Sequence, residues 1–154
     1  MINYREMIAL DIPVLVGMEK SIYPESPWSA AQFREELAGV PKTRRYIVAT
    51  EGSEIVGYAG IALAGEVADI HTLTVIPEYR RRGIATSMLT DLETWARSKD
   101  MSAVMLEMRE GNNEAQPLYE NAGYQAISRR DNYYATGIHA VIMRKELQIG
   151  RAHV

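Results

Sequence analysis

A chain of 154 residues, 47% hydrophobic and 24% charged, has the size and composition of one globular domain able to bury a sizeable core. The absence of cysteine excludes a disulfide scaffold, a thiolate nucleophile, a thiolate zinc site and an iron–sulfur cluster, and a net charge of −3 argues against a dedicated nucleic-acid binder. Residues 1–5 carry no signal-peptide pattern and no apolar run approaches a membrane span, so a cytoplasmic protein with no membrane partner is expected.

In chain order, the pattern predicts a strand over 2–7 and then a helix entered at Asp11 with Pro13 in its first turn, burying Leu15, Met18 and Ile22. Two prolines make 23–28 a loop, and Ser29 with Gln32 forms a capping box that opens a short helix to about residue 38. Strands follow over 46–49, 55–63 and 67–76, where Gly57 and Gly60 mark a bulge or a close approach of backbone. Ile84, Met88, Leu92 and Trp95 recur at helical spacing, with Ala85, Leu89 and Ala96 beside them. An apolar strand is predicted over 103–108. A short helix carrying Ala115, Leu118, Tyr119 and Ala122 stops at Gly123, and two last strands cover 124–130 and 139–145, joined by a loop over 131–137. Residues 148–154 carry no pattern and are expected to be a tail outside a domain spanning 1–147. The order is that of an α+β or mixed α/β domain with one parallel crossover through 83–97.

Two asymmetries stand out. There are nine tyrosines against one phenylalanine, and a buried tyrosine needs a partner for its hydroxyl, so several are expected near a site. Residues 1–79 have six basic and eleven acidic side chains, whereas 80–154 have eleven and nine, so the second half suits a small anionic ligand.

The most informative stretch runs from Val75 to Thr86. A strand ends before Pro77, a basic turn of Arg80, Arg81 and Arg82 follows, and a helix opens at Gly83-Ile84-Ala85-Thr86. Backbone N–H groups converging at such a turn bind anions, and the helix N-terminus adds partial positive charge. Neither a P-loop nor a dinucleotide-binding fingerprint is present. The pattern alone also describes a solvated basic turn.

Arg80-x-x-Gly83-x-Ala85 resembles the acyl-CoA signature of the GNAT superfamily of N-acetyltransferases. Leu73-Thr74-Val75 is similar to that family's pantetheine-pairing strand. Asn112-x-x-Ala115-x-x-Leu118-Tyr119-Glu120-x-x-Gly123-Tyr124 resembles its second signature. Met105-Leu106-Glu107-Met108-Arg109, Arg130-Asp131-Asn132-Tyr133-Tyr134 and Ala140-Val141-Ile142-Met143 look like the bacterial RimI subfamily, which acetylates the N-terminal alanine of a small-subunit ribosomal protein. One departure is Ile138-His139, where subfamily members usually place acidic residues. The resemblance implies a single twisted, mostly antiparallel sheet with a central parallel pair, flanked by helices. It also implies acetyl-CoA as co-substrate, no metal, and a peptide N-terminus as acceptor. Leu73, Thr74, Val75, Arg80, Arg81, Arg82, Gly83, Ile84, Ala85, Thr86 and Asn112 would then hold the cofactor, with Asn112 equally suited to capping a helix.

Transfer from a thioester to an amine requires that the amine lose a proton and the leaving thiolate gain one. Strand alternation puts Glu107 on the face of Ala103 and Met105, where apolar neighbours would raise its pKa; the alternative is a strand-end glutamate in water or one paired with Arg109. In RimI-like enzymes the matching Glu is the proposed base, and Tyr119, in the family's Tyr position, is the candidate acid. The alternative for Tyr119 is a core tyrosine with a satisfied hydroxyl. Tyr133 and Tyr134 match the segment lining the peptide groove, or form a half-buried strand edge. His71 lies beside the presumed cofactor strand and is either a proton relay or structural. Acidic Glu25, Glu35 and Glu36 lie where these enzymes vary to select substrate. The remaining functional alternatives are acetylation of a small amine and a non-catalytic acetyl-CoA-binding module.

Overall fold

The structure, a computed structural model, describes residues 1–147; the predicted tail lies outside the described residues. Seven strands form one sheet: β1 Ile2–Glu6, β2 Arg44–Glu51, β3 Glu54–Ala64, β4 Val67–Val75, β5 Ala103–Arg109, β6 Gln125–Ala135 and β7 Ile138–Glu146, in the order β1-β2-β3-β4-β5-β7-β6. Among the strand pairs whose register is described, only β4 and β5 run parallel, Val67–Asp69 against Ala103–Met105, and the others are antiparallel. The helices are α1 Ile12–Ile22, α2 Ala30–Leu37, α3 Ile84–Ser98 and α4 Ala115–Asn121. This is the mixed α/β architecture expected from the sequence. The chain divides into two compact units. The first comprises Met1–Ala62 with Thr72–Leu92, and the second Leu63–His71 with the chain from Glu93 onward.

In the first unit, the core gathers Met7, Ile12, Leu15, Phe33, Tyr46, Val48, Ile55 and Tyr58. The buried stripe of α1 is Ile12, Leu15 and Glu19, while Met18 and Ile22 are half-buried at its margin. Glu19 is only 2% exposed, and its carboxylate accepts from the Tyr58 hydroxyl at 2.5 Å and from the Trp28 backbone N–H at 2.8 Å. Trp28 in turn packs on Phe33 with ring centroids 5.2 Å apart. The capping box opens α2 as predicted: the Gln32 N–H donates to Ser29 Oγ, and the Ser29 N–H donates to Gln32 Oε1. Asp11 differs from its predicted role. Its carboxylate makes no cap bond to α1; it accepts from the Ile8 N–H and takes both arms of the Arg5 guanidinium at 2.9 Å. Those bonds with Arg5 hold the Asp11 carboxyl below the usual carboxylate range.

Both strand glycines answer to close approach. A Cβ on Gly57 would lie 2.9 Å from the Thr74 carbonyl oxygen and 3.2 Å from the Met88 methyl, and the β2–β3 register shifts nearby at Ala49/Thr50. A Cβ on Gly60 would lie 2.0 Å from the Tyr46 ring, so Gly60 is the space that ring occupies. Tyr46 is 1% exposed and its hydroxyl donates to Glu36 Oε1 at 2.6 Å.

In the second unit, β5 buries Ala103, Val104, Leu106 and Met108 and pairs along its length with β7. β6 runs further than predicted, to Ala135, and a register break between Arg130 and Ala135 places Asn132 at φ +55° within it. The side-chain oxygen of Asn132 accepts from the Gly137 N–H at 2.6 Å, and its own N–H donates to His139 Nδ1 at 2.9 Å. The predicted loop over 131–137 is thus mostly strand, held by local side-chain bonds. Glu93, 5% exposed, accepts from Tyr124 OH at 2.7 Å and from Lys145 Nζ at 2.8 Å.

Two stability tests follow from the first unit. Gly60→Ala forces a methyl into the Tyr46 ring and is expected to cost about 3 kcal/mol, with most of the loss recovered in the Tyr46→Ala background, as read from urea midpoints. Asp11→Asn removes a contribution that exists above the unfolded carboxylate pKa of about 4 and fades as pH falls through the lowered folded value. The Tm gap between wild type and Asp11→Asn is therefore widest near neutral pH and narrows on acidification.

Candidate active site

The basic turn belongs to the first unit. After β4, a short 3-10 turn at Pro77–Tyr79 leads to Arg80, then Arg81 at φ +65° and Gly83 at φ +81°, and α3 begins at Ile84. A Cβ on Gly83 would meet nothing within 4 Å, so the left-handed backbone, and no crowding, explains the glycine. Left-handed residues just before a 15-residue helix are a backbone pattern in which N–H groups can converge on an anion. The arginines shape this turn as well as charging it. Arg80 Nε donates to the Val75 carbonyl at 3.0 Å, and Arg82 donates to the Glu78 carbonyl at 3.1 Å while stacking 4.5 Å above the Tyr79 ring. The Tyr79 hydroxyl donates to Glu51. All three arginines remain exposed, as do Gly83 and Thr86; Ile84 is buried and Ala85 half-buried. Of the preceding strand residues, Thr74 and Val75 are buried and Leu73 half-buried, and Thr74 Oγ1 shares a 2.8 Å hydrogen bond with the Tyr23 hydroxyl. Burial pushes the Tyr23 hydroxyl pKa up.

The second unit brings Glu107, Tyr133 and Tyr134 together. Glu107 extends from β5 with its side chain 34% exposed. Its carboxylate lies 3.4 Å from Arg130 Nη1 and accepts from the Tyr133 hydroxyl at 3.2 Å. This corrects the expectation of an apolar pocket: β6 lies across β7 from β5 and supplies a cation and a phenol to the carboxylate. Of the alternative, a strand-end glutamate in water or one paired with Arg109, the exposure agrees with the first; the Arg109 guanidinium sits 5.1 Å above the Tyr134 ring. Tyr133 and Tyr134 meet edge to face at 5.1 Å, and Arg130 lies 5.3 Å from the Tyr133 centroid. Burial, with the Glu107 charge adding to it, pushes the Tyr134 hydroxyl pKa up.

Tyr119 is the buried residue of α4, 9% exposed, with its ring edge-on to Tyr124 at 5.9 Å. The Tyr124 N–H donates to the Tyr119 carbonyl at 3.0 Å, so the Glu93–Tyr124–Lys145 cluster fixes the ring that Tyr119 packs against. Asn112 does what a cap does: its side-chain oxygen accepts from the Glu114 and Ala115 N–H groups, at 3.2 and 3.0 Å. That leaves only its amide N–H₂ for a cofactor. His71 is exposed. Arg109 and Arg130 stand in the RimI-like motifs but were given no role, because Arg130 reaches Glu107 only through the pairing of β6 with β7, and Arg109 lies over the Tyr134 ring. Among the described residues, no group of three or more His, Asp or Glu is placed to hold a metal, and no helix is long and apolar enough to cross a membrane.

Comparison with known proteins bears on this geometry. An N-alpha-acetyltransferase RimI from Mycobacterium tuberculosis is 36% identical over 127 residues, covering 79% of this chain and 77% of that protein. A ribosomal protein bS18-alanine N-acetyltransferase from Haemophilus ducreyi is 30% identical over 108 residues, covering 70% of this chain and 72% of that protein. An uncharacterized Mycobacterium leprae protein is 38% identical over 129 residues, and the match spans only 34% of that longer protein. The crystal structure of the ribosomal-protein-S18-alanine N-acetyltransferase from Escherichia coli has the same fold, with a TM-score of 0.85, 22% identity, and coverage of 100% of this chain and 99% of that one. The acetyltransferase (GNAT) family matches residues 14–124, the span that holds the basic turn, Glu107 and Tyr119, and the chain belongs to that family.

Proposed function

We propose that residues 1–147 act as an N-α-acetyltransferase that moves the acetyl group of acetyl-CoA to the N-terminal amine, alanine first among candidates, of a ribosomal protein or similar peptide. The observation that carries this reading is Glu107 at the rim of β5, hydrogen-bonded by Tyr133 and accessible to solvent. The names of the mycobacterial and Haemophilus relatives support the same choice of acceptor.

The turn from Arg80 to Thr86 would hold the pyrophosphate of such a cofactor; the left-handed backbone at Arg81 and Gly83 and the three arginines in its sequence support this. Leu73, Thr74 and Val75 would lie along the pantetheine, with the Asn112 amide as a further donor. Bound acetyl-CoA supplies an activated acetyl group as a thioester. Glu107 takes the proton from the incoming ammonium at its carboxylate. An α-amine has a pKa of about 8, against about 10.4 for lysine, so a carboxylate in contact with water suffices as acceptor. The Tyr133 hydroxyl keeps that carboxylate oriented. Tyr119 holds a proton on its phenol for the departing sulfur, and the faces of Tyr133 and Tyr134 line the acceptor peptide.

Mass spectrometry of an Ala-starting ribosomal peptide incubated with the protein and acetyl-CoA is expected to show one acetyl group on the α-amine. Acetylation confined to lysine side chains, or to free small amines in a parallel panel, would overturn the reading. Glu107→Gln keeps an acceptor for the Tyr133 hydroxyl and removes the base, so kcat should fall about 100-fold near neutral pH and recover as pH approaches the amine pKa. Tyr119→Phe should lower kcat with little change in cofactor affinity measured by calorimetry. Unchanged turnover in either variant removes that residue from its role.

A further inference from the structure

Glu93 is a charged group in the interior of the second unit, its side chain only 6% exposed, and the transfer makes no direct use of it. Both of its oxygens are occupied: Oε1 accepts from Lys145 Nζ at 2.8 Å and Oε2 from the Tyr124 hydroxyl at 2.7 Å. Lys145 arrives from β7 across the end of α4. A Cβ on Gly123, which stands at φ +102°, would lie 3.4 Å from the lysine Cε. The ammonium then sits 5.9 Å from the centre of the Tyr124 ring. One lysine offsets one glutamate and the phenol is neutral, so the three side chains carry no net charge between them. Their effect on a neighbour is therefore one of shape.

The neighbour is Tyr119. Tyr124, 2% exposed, meets it twice: the Tyr124 N–H donates to the Tyr119 carbonyl at 3.0 Å, and the two rings pack edge to face at 5.9 Å with 67° between their planes. Helix α4 has seven residues, well short of the roughly 12–15 that let a helix stand by itself, so contacts of this kind set its direction. A tyrosine whose carbonyl is held, and whose ring abuts a ring that cannot turn, keeps its hydroxyl in one place. We propose that Tyr124 is a positioning residue for Tyr119, anchored by Glu93 and Lys145, and that this cluster aims the Tyr119 phenol at the departing sulfur. In the proposed transfer the C–S bond breaks, the sulfur keeps the electron pair and takes the Tyr119 proton, and water restores that proton. The donor must lie about 2.6–3.2 Å from the atom it protonates, so a ring that swings slows the transfer and leaves cofactor binding alone. Phenylalanine at 124 would fill the same volume without the bond that stops the swing.

The inference rests on Tyr119 as the acid of the proposed function, and a double-mutant cycle separates the two. Wild type, Tyr119→Phe, Tyr124→Phe and the double variant are assayed with acetyl-CoA and a saturating Ala-starting ribosomal peptide. Tyr124→Phe is expected to lower kcat about tenfold, with KM for acetyl-CoA and its calorimetric affinity little changed. In the Tyr119→Phe background the same substitution should change kcat less than twofold, because the hydroxyl it aims is gone. Tyr46→Phe, which removes the matching hydroxyl–carboxylate bond to Glu36 in the first unit, should lower Tm and leave kcat in place. Circular dichroism reports whether Tyr124→Phe is folded; should it not be, Glu93→Gln weakens the same bond at constant volume and enters the cycle with the same expectation. A loss of equal size in both backgrounds, no loss in either, or an equal loss in Tyr46→Phe overturns the proposal and leaves the acid in place. Full turnover in Tyr119→Phe alone overturns the acid assignment and this inference with it.

Discussion

A carboxylate withdrawn from water needs a donor, and in this chain the donor is repeatedly a tyrosine hydroxyl. Glu19 is met by Tyr58, Glu36 by Tyr46 and Glu93 by Tyr124. Each pair joins elements that sequence alone does not connect: α1 to β3, α2 to β2, and α3 to the start of β6. A hydrogen bond to a charged group contributes about 1.5–3 kcal/mol, and a buried charge left without a partner costs more than that. Burial and the neighbouring carboxylate push all three phenol pKa values up, which favours the protonated, donating hydroxyl. Part of the surplus of tyrosine over phenylalanine thus has a structural origin: Tyr46, Tyr58 and Tyr124 each carry a hydroxyl that meets a carboxylate.

Glu107 follows the opposite rule. It also receives a tyrosine hydroxyl, but it is partly exposed and its second partner is an arginine at 3.4 Å on an exposed edge strand. Lys145 at 2.8 Å from Glu93, with only 22% of the lysine side chain exposed, is by comparison a fixed partner. Exposed ion pairs contribute little and exchange readily, whereas buried ones are costly to break. The four glutamates therefore divide by environment into three that hold elements together and one, Glu107, whose partners can exchange, as the proposed role of proton acceptor would require.

What the sequence made legible was local. The Ser29–Gln32 box, the α3 stripe through Ile84, Met88 and Leu92, and the turn from Arg80 to Gly83 each depend on residues within a few positions of one another, and each is present. The glycines of β3 were recognisable as close approaches, though not that the Tyr46 ring fills the space at Gly60. What was hidden depends on distance along the chain. Glu19 is 39 residues from Tyr58 and Glu93 is 31 from Tyr124, so two glutamates on helices gave no sign of being buried. The setting of Glu107 was misjudged for the same reason. Alternation within β5 places its Cα correctly, but Arg130 and Tyr133 reach it from β6, across β7.

The uneven charge of the two halves of the chain takes on a more specific meaning at the basic turn. Arg80 and Arg82 use guanidinium N–H groups on the Val75 and Glu78 carbonyls, and those bonds hold the strand end and the 3-10 turn in a conformation that the peptide backbone alone would not keep. With the carbonyls occupied in this way, any anion bound at the turn under the proposed function would be held by main-chain N–H groups and the positive end of α3, with the arginine charges acting at longer range. In the proposed function, a turn built in this manner would meet the phosphate oxygens of acetyl-CoA by geometry. Replacing a single arginine should therefore disturb binding through the shape of the loop as much as through the loss of one charge.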